Sequence, residues 1–269
     1  MQRLVLAVLL GALAGAAAAH DTWFALRPAA RTGEATLALG TGQRFPVHET
    51  GMPAEALRAA GCRDAAGVAR PLRPGAAQPQ ALPLTAALGG AGGSCWAQLQ
   101  PLDIALDAAK VAVYLDEIRA PQAVREAWRA QQARGLRWQE RYTKHARIEL
   151  GAGSAGPVPM ALDVVPEQPL PAVGGTLAFT LQREGRPLPG QAVQVLHADT
   201  GLGFWLQSDA QGRAQVRLPL PGAWLLRGTL LEPDPAAPDA WRSQFFTLAL
   251  QLSGAASPSS SPRRTPRGT

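Results

Sequence analysis

The stretch TLAFTLQREGRPLPGQAVQVLHADTGLGFWLQS, residues 176 to 208, decides the fold. Three strand-like runs, TLAFTLQRE, QAVQVLHAD and GFWLQS, are separated by segments rich in Gly, Pro and Asp. Glu184-Gly185 reads as the first turn, and Val193, Val195 and His197 fall on one parity, the period of a strand with one buried face. Outward from this stretch, MALDVVP precedes it, and RAQVRLPL, AWLLRGTLL and FFTLALQL follow, with Asp209-Ala210-Gln211-Gly212 as a turn. Short strands at such spacing predict a β-sandwich.

The first half is less regular. Thr36 to Leu39 and Ser94 to Leu99 read as strands, Gly42 to Pro46 as a loop, and PAEALRAA (53–60) as one or two helical turns starting at Pro53. PQAVREAWRAQQARG predicts a helix opened by Pro121 and closed by Gly135, with Val124, Ala127 and Trp128 on the packed face and Glu126 able to pair with Arg129. In LRWQERYTKHARIEL (136–150), Trp138, Tyr142, Ala146, Ile148 and Leu150 share one parity, whereas Arg137, Arg141, Thr143, His145 and Arg147 share the other. That pattern predicts a long, half-buried strand. GAGSAG (151–156) has linker chemistry. The expected architecture is therefore mainly β, with two β-sandwich domains of Ig-like or transthyretin-like type. They span 20–156 and 157–252, a helix over 121–134 is inserted in the first, and residues 253–269, rich in Ser, Pro and Arg, form a disordered tail.

The opening residues predict export. Arg3, the apolar run Leu4 to Leu13 and Ala17-Ala18-Ala19 have the order of a secretory signal, with cleavage after Ala19 and a mature, periplasmic chain starting at His20. The apolar run is short for a membrane helix. Four of the 26 basic residues, Arg3, Arg263, Arg264 and Arg267, leave with the leader or sit in the tail, which brings the remainder close to balance with the 20 acidic ones. A near-neutral folded part is no footprint for nucleic acid. Cys62 and Cys95, the chain's 2 cysteines, predict a structural disulfide in an oxidising compartment.

The chemistry expected of such a chain is metal binding rather than catalysis. There is no G-x-S-x-G elbow, H-E-x-x-H, phosphate loop or dinucleotide fingerprint. A mature chain starting at His20 carries an α-amine and an imidazole on one residue, which together chelate a divalent transition metal; imidazole suits nickel, cobalt, copper and zinc. The chain has 4 histidines. His48, beside Glu49, and His145, on the polar parity of the long strand, are the candidates to complete the set, with Asp21 and Glu49 as oxygen ligands. His197, at a strand end, reads as a satisfied structural residue.

Several segments, taken in order, carry a resemblance: HDTWF (20–24), GQRFP (42–46), RYTKHAR (141–147), LDVVPEQPL (162–170), REGRPLPGQAV (183–193), SDAQGRAQVRL (208–218), PGAWLLRG (221–228) and FFTLAL (245–250). Together they resemble a bacterial periplasmic domain-of-unknown-function family whose members accompany nickel and cobalt uptake transporters. The resemblance covers nearly the whole mature chain. It implies a non-catalytic protein that binds a divalent metal, nickel foremost with cobalt or copper as alternatives, and supports an inner- or outer-membrane metal transporter. Only His20 and Asp21 carry over from the family's processed terminus. Two alternatives stand beside it. One is a copper histidine-brace protein, either carrier or oxidative enzyme; the other is a metal-free binding or scaffold module.

Overall fold

The computed structural model describes residues 20–29, 31–151, 153 and 156–253. The proposed leader and, apart from Ser253, the proposed tail lie outside the described residues. The fold is mainly β with multiple sheets, as expected.

A nine-stranded sheet forms the frame. In spatial order it contains β14 (Gly203–Gln207), β13 (Ala192–His197), β16 (Gly222–Pro233), β17 (Trp241–Leu252), β9 (Trp138–Gly151), β7 (Gly92–Leu99), β3 (Leu57–Asp64) and β4 (Ala69–Arg70); β8 (Leu102–Leu106) pairs with the start of β9. Strands from both halves of the chain meet at its centre, where β17 runs parallel to β9 from Trp241↔Glu140 to Leu250↔Glu149. The sheet therefore crosses the expected domain boundary without a break. A parallel pair needs a long crossover, and here the chain between Gly151 and Trp241 supplies it.

Two smaller sheets cover opposite faces. The first contains β1 (Asp21–Arg27), β2 (Glu34–Gly42), β6 (Leu82–Ala87) and β5 (Arg73–Pro74). It packs Trp23, Phe24, Leu37, Leu39, Leu82 and Leu84 against Ala146, Ile148, Leu150 and Ala249. The second contains β10 (Leu162–Pro166), β11 (Thr176–Arg183), β12 (Arg186–Pro187) and β15 (Arg213–Arg217). It packs Leu162, Val164, Leu177, Phe179 and Leu181 against Val193, Val195, Trp224, Leu226, Phe246 and Leu248. All seven strand-like runs of the second half form strands, β10, β11 and β13 to β17. Their turns follow side-chain chemistry. Glu184 and Gly185 both have positive φ, 50° and 74°, as a two-residue hairpin turn requires. The Asp209 carboxylate accepts the Gln211 and Arg213 amides at 2.9 and 2.8 Å.

The remaining part of the first face is covered by helices. The expected helix is present as α2 (Gln122–Ala133), with Val124 and Trp128 buried. Glu126 accepts a hydrogen bond from Gln122 at 2.9 Å, and no ion pair with Arg129 forms among the described residues. A second helix, α1 (Ala108–Glu117), was not expected; Asp107 caps it by accepting the Lys110 amide at 2.8 Å. Val111, Tyr114, Leu115 and Ile118 join Trp128, Trp138, Trp241 and Phe245 in an aromatic core, where the Trp138 and Trp241 rings stack at 4.6 Å. The helical turns expected over 53–60 shrink to a 3-10 turn, Ala54–Ala56, because Leu57 onward pairs with β7. Cys62 and Cys95 sit opposite one another in that pair and form the expected disulfide.

The polar parity of β9 differs from the half-buried expectation. Arg147 and Glu149 are fully buried, because the second small sheet covers them. Arg147 donates to Glu149 at 2.6 Å, to Asp163 of β10 at 2.8 Å and to the Gly156 carbonyl at 3.0 Å. Ser94 donates to Glu149 at 2.7 Å. Satisfied in this way, a buried charge cluster is tolerated and locks β7, β9 and β10 together.

Candidate functional site

The N-terminal strand lies across the first face of the large sheet and is fastened by polar ties. Lys144 donates its ammonium to the His20 carbonyl at 2.7 Å, and the Thr247 hydroxyl donates to the Thr22 carbonyl at 2.7 Å. Arg227 of β16 forms a hydrogen-bonded ion pair with Asp21 and donates from Nε to the Gln194 amide oxygen at 2.8 Å. Asp21 is buried. Burial raises its pKa, with Arg227, Lys144 and His20 favouring the carboxylate in opposition. Burial also lowers the Lys144 pKa to about 8, with the Asp21 charge opposing.

The expected ligands separate under this geometry. His20 remains at the surface, its Nε2 3.4 Å from Glu49 Oε2, with the two side chains 38% and 43% exposed. Asp21 points away from solvent into the Arg227 pair and acts as a tie for β1. His48 turns inward. Its Nε2 lies 3.1 Å from the Trp23 carbonyl, an acceptor, so Nε2 carries the proton. The ring packs against Trp23 at 5.0 Å and occupies the space a side chain at Gly40 would need. Burial lowers the His48 pKa to about 4. His145 is on the wrong face: Lys144 reaches His20, and successive strand residues point to opposite sides. His145 is 1% exposed, and burial lowers its pKa to about 4. Neither His48 nor His145 joins His20. His197 is satisfied, with Nδ1 3.0 Å from Thr200 Oγ1 and Nε2 2.8 Å from the Pro221 carbonyl, as its structural reading requires. Among the described residues, no three His, Cys, Asp or Glu side chains converge on one point.

What remains of the expected centre is one residue with a carboxylate beside it. In a chain trimmed to begin at His20, a chelate from the α-amine would close through Nδ1, the nearer ring nitrogen. Nε2 then faces Glu49, and a carboxylate on the distal nitrogen orients a ligating imidazole and raises its basicity. The residues would fit a metal to that extent: the His20 imidazole with Glu49 beside it, joined by the α-amine only in a chain trimmed to begin at His20.

The Asp21–Arg227 pair also forms part of the wall of a cleft of about 410 Å³. Asp21 and Gln43 border it on one side, the end of α1 from Asp116 to Arg119 on another, and Gln194, Trp205, Arg227 and Thr229 on the third. Arg119 follows the α1 C-cap with φ 50°, where Gly is the usual residue. A side chain there costs about 1 kcal/mol, and this one lays its guanidinium 4.7 Å from the Trp205 ring centroid. Nothing in the sequence suggested this cleft, whose walls come from segments as far apart as Asp21 and Thr229.

No protein-family model matches the chain, and no curated protein matches it.

Proposed function

We infer that the chain, exported and trimmed to begin at His20, binds a divalent transition metal through the amine and imidazole of that residue. It passes the metal to a membrane uptake transporter in the periplasm. Nickel is the preferred ion, with cobalt or copper as alternatives. The observation that supports this reading is the His20–Glu49 contact at 3.4 Å on an exposed edge, beside a segment whose main chain is held by Lys144 and Thr247 and whose Asp21 side chain is held by Arg227. Two nitrogen donors leave most of a coordination sphere to water or to a partner's side chains, which suits a protein that releases its cargo. The oxidative copper reading is less well supported, because a brace requires a second imidazole and both candidates are turned away.

The test is calorimetric titration of Ni²⁺, Co²⁺, Cu²⁺ and Zn²⁺ into protein beginning at His20, compared with protein bearing one additional residue before it. The extension removes the chelating amine, so affinity should fall at least about tenfold. Equal affinities would refute the terminal chelate. Ascorbate-driven oxygen consumption by the copper-loaded protein would instead favour the oxidative reading.

A further inference from the structure

The cleft between α1 and the β13–β14–β16 edge has hydrogen-bonding capacity that the fold leaves unused. Thr229 is 7% exposed, and its hydroxyl has no hydrogen-bond partner among the described residues; only its carbonyl is engaged, by Gln191. Gln194 uses its amide oxygen on Arg227 Nε, and Arg227 uses Nη1 on Asp21. The Gln194 amide N–H groups and Arg227 Nη2 take no described partner. The Gln43 amide and the Trp205 indole N–H, both in the cleft wall, likewise have none. Thr229 lines the cleft, and its hydroxyl, with the amide, indole and guanidinium groups around it, is open to hydrogen bonding by something that enters.

The chemistry of the walls selects among ligands. Asp21 and Arg227 neutralise each other. An anion would meet Glu117 and Asp116, the latter already paired with Arg125 at 2.6 Å, and a cation would meet Arg119. What the cleft offers is an aromatic ring bordered by charges of both signs and by polar groups, of which Thr229 and Gln43 both donate and accept while Gln194, Trp205 and Arg227 donate. A sugar matches it, with hydroxyls that do both and an apolar C–H face that packs on indole. We propose that this cleft is a saccharide-binding site, with Trp205 as the stacking platform and Thr229, Gln194, Gln43 and Arg227 reading the hydroxyls. Arg119, which covers the ring, is displaced by the sugar and turns its guanidinium toward the hydroxyls. The volume of about 410 Å³ lies near the lower end of the roughly 300 to 1,000 Å³ of small-molecule sites, room for about one or two sugar rings.

The site is tested on the full processed protein, freed of metal, by calorimetry and saturation-transfer NMR. The probes are glucose, N-acetylglucosamine, maltose, cellobiose and diacetylchitobiose, with inorganic phosphate and spermidine as charged comparisons. At least one neutral sugar should bind with a submillimolar Kd, and Trp205→Ala and Thr229→Val should each weaken it by about tenfold or more. Gln43→Ala, on an exposed loop, should weaken binding without threatening the fold, and Arg137→Ala, in a separate surface cavity, should leave it unchanged. Failure of every neutral sugar to bind at about 10 mM, sugar binding indifferent to Trp205 and Gln43, or binding of phosphate or spermidine alone would each overturn the proposal.

Discussion

His145 provides a direct test of the packing around β9. Its imidazole lies on the Arg147 face of β9, 3.3 Å from Thr143 Oγ1 and 1% exposed, and burial, reinforced by the Arg58 charge, lowers its pKa from 6.5 to about 4. Below pH 6.5 the unfolded chain takes up a proton on this ring, while the folded chain remains neutral until about pH 4. The unfolded state binds more protons over that window, so stability is present above pH 6.5 and is lost as the pH falls. One proton is worth about 1.36 kcal/mol for each pH unit crossed, so this one group loses about 2 kcal/mol between pH 7 and pH 5. His145→Gln removes the titration and retains a neutral polar side chain. Urea unfolding followed by tryptophan fluorescence at pH 7, 6 and 5 reads the difference: with m of about 2 to 3 kcal/mol/M, the wild-type midpoint should fall about 0.7 to 1 M further than that of the variant. Asp21, Glu140 and Asp163 have pKa values raised by burial and act in the opposite direction, but they are common to both proteins and cancel. Parallel acid slopes in the two proteins would mean that His145 is hydrated and not buried in the fold.

The remaining predictions concern other parts of the fold. Glu49→Gln should weaken Ni²⁺ binding to the processed chain by about tenfold through loss of ring orientation; an unchanged isotherm would remove Glu49 from the site. Replacing Cys62 and Cys95 by Ala opens a loop of sequence separation 33 and should cost about 3 to 4 kcal/mol in urea unfolding, and a cost near zero would show that the β3–β7 pair does not depend on the bridge. Arg147→Met leaves Glu149 and Asp163 buried without their counter-charge and should cost about 3 to 5 kcal/mol, whereas replacing all three residues by apolar ones should recover most of it; a mild single-mutant effect would mean that water enters the cluster.

The parts of the fold legible in the sequence are those fixed by local chemistry. The seven runs of the second half carry their own turn residues, and Pro121 and Gly135 bracket α2. Helix α1 carries local signals of the same kind, the Asp107 cap and Val111, Tyr114, Leu115 and Ile118 at helical spacing, although the expected elements did not include it. Other features depend on residues distant in the chain. The polar parity of β9 looks solvated until β10 folds over Arg147, and no local pattern announces that a strand from one half pairs in parallel with one from the other. The site divides in the same way. His20 stands out by its position after the small-residue run, whereas His145 cannot join it because Lys144, its neighbour on the strand, already occupies the face that His20 lies on. The burial of Asp21 by Arg227, 206 residues away, has no trace in local sequence.

The pairing of β17 with β9 sets the order in which this molecule can be completed. As the polypeptide emerges from its amino end, the first half lacks the neighbour of its longest strand, the Arg227 and Thr247 ties of β1 and the Trp241 and Phe245 of its aromatic core, and one flank of β9 keeps its amides and carbonyls open until β17 appears. Unsatisfied strand flanks recruit other chains, so the nascent chain is open to misassociation at β9 until β17 pairs with it. Deletions within β17 should therefore damage the amino-terminal half as severely as the half they belong to.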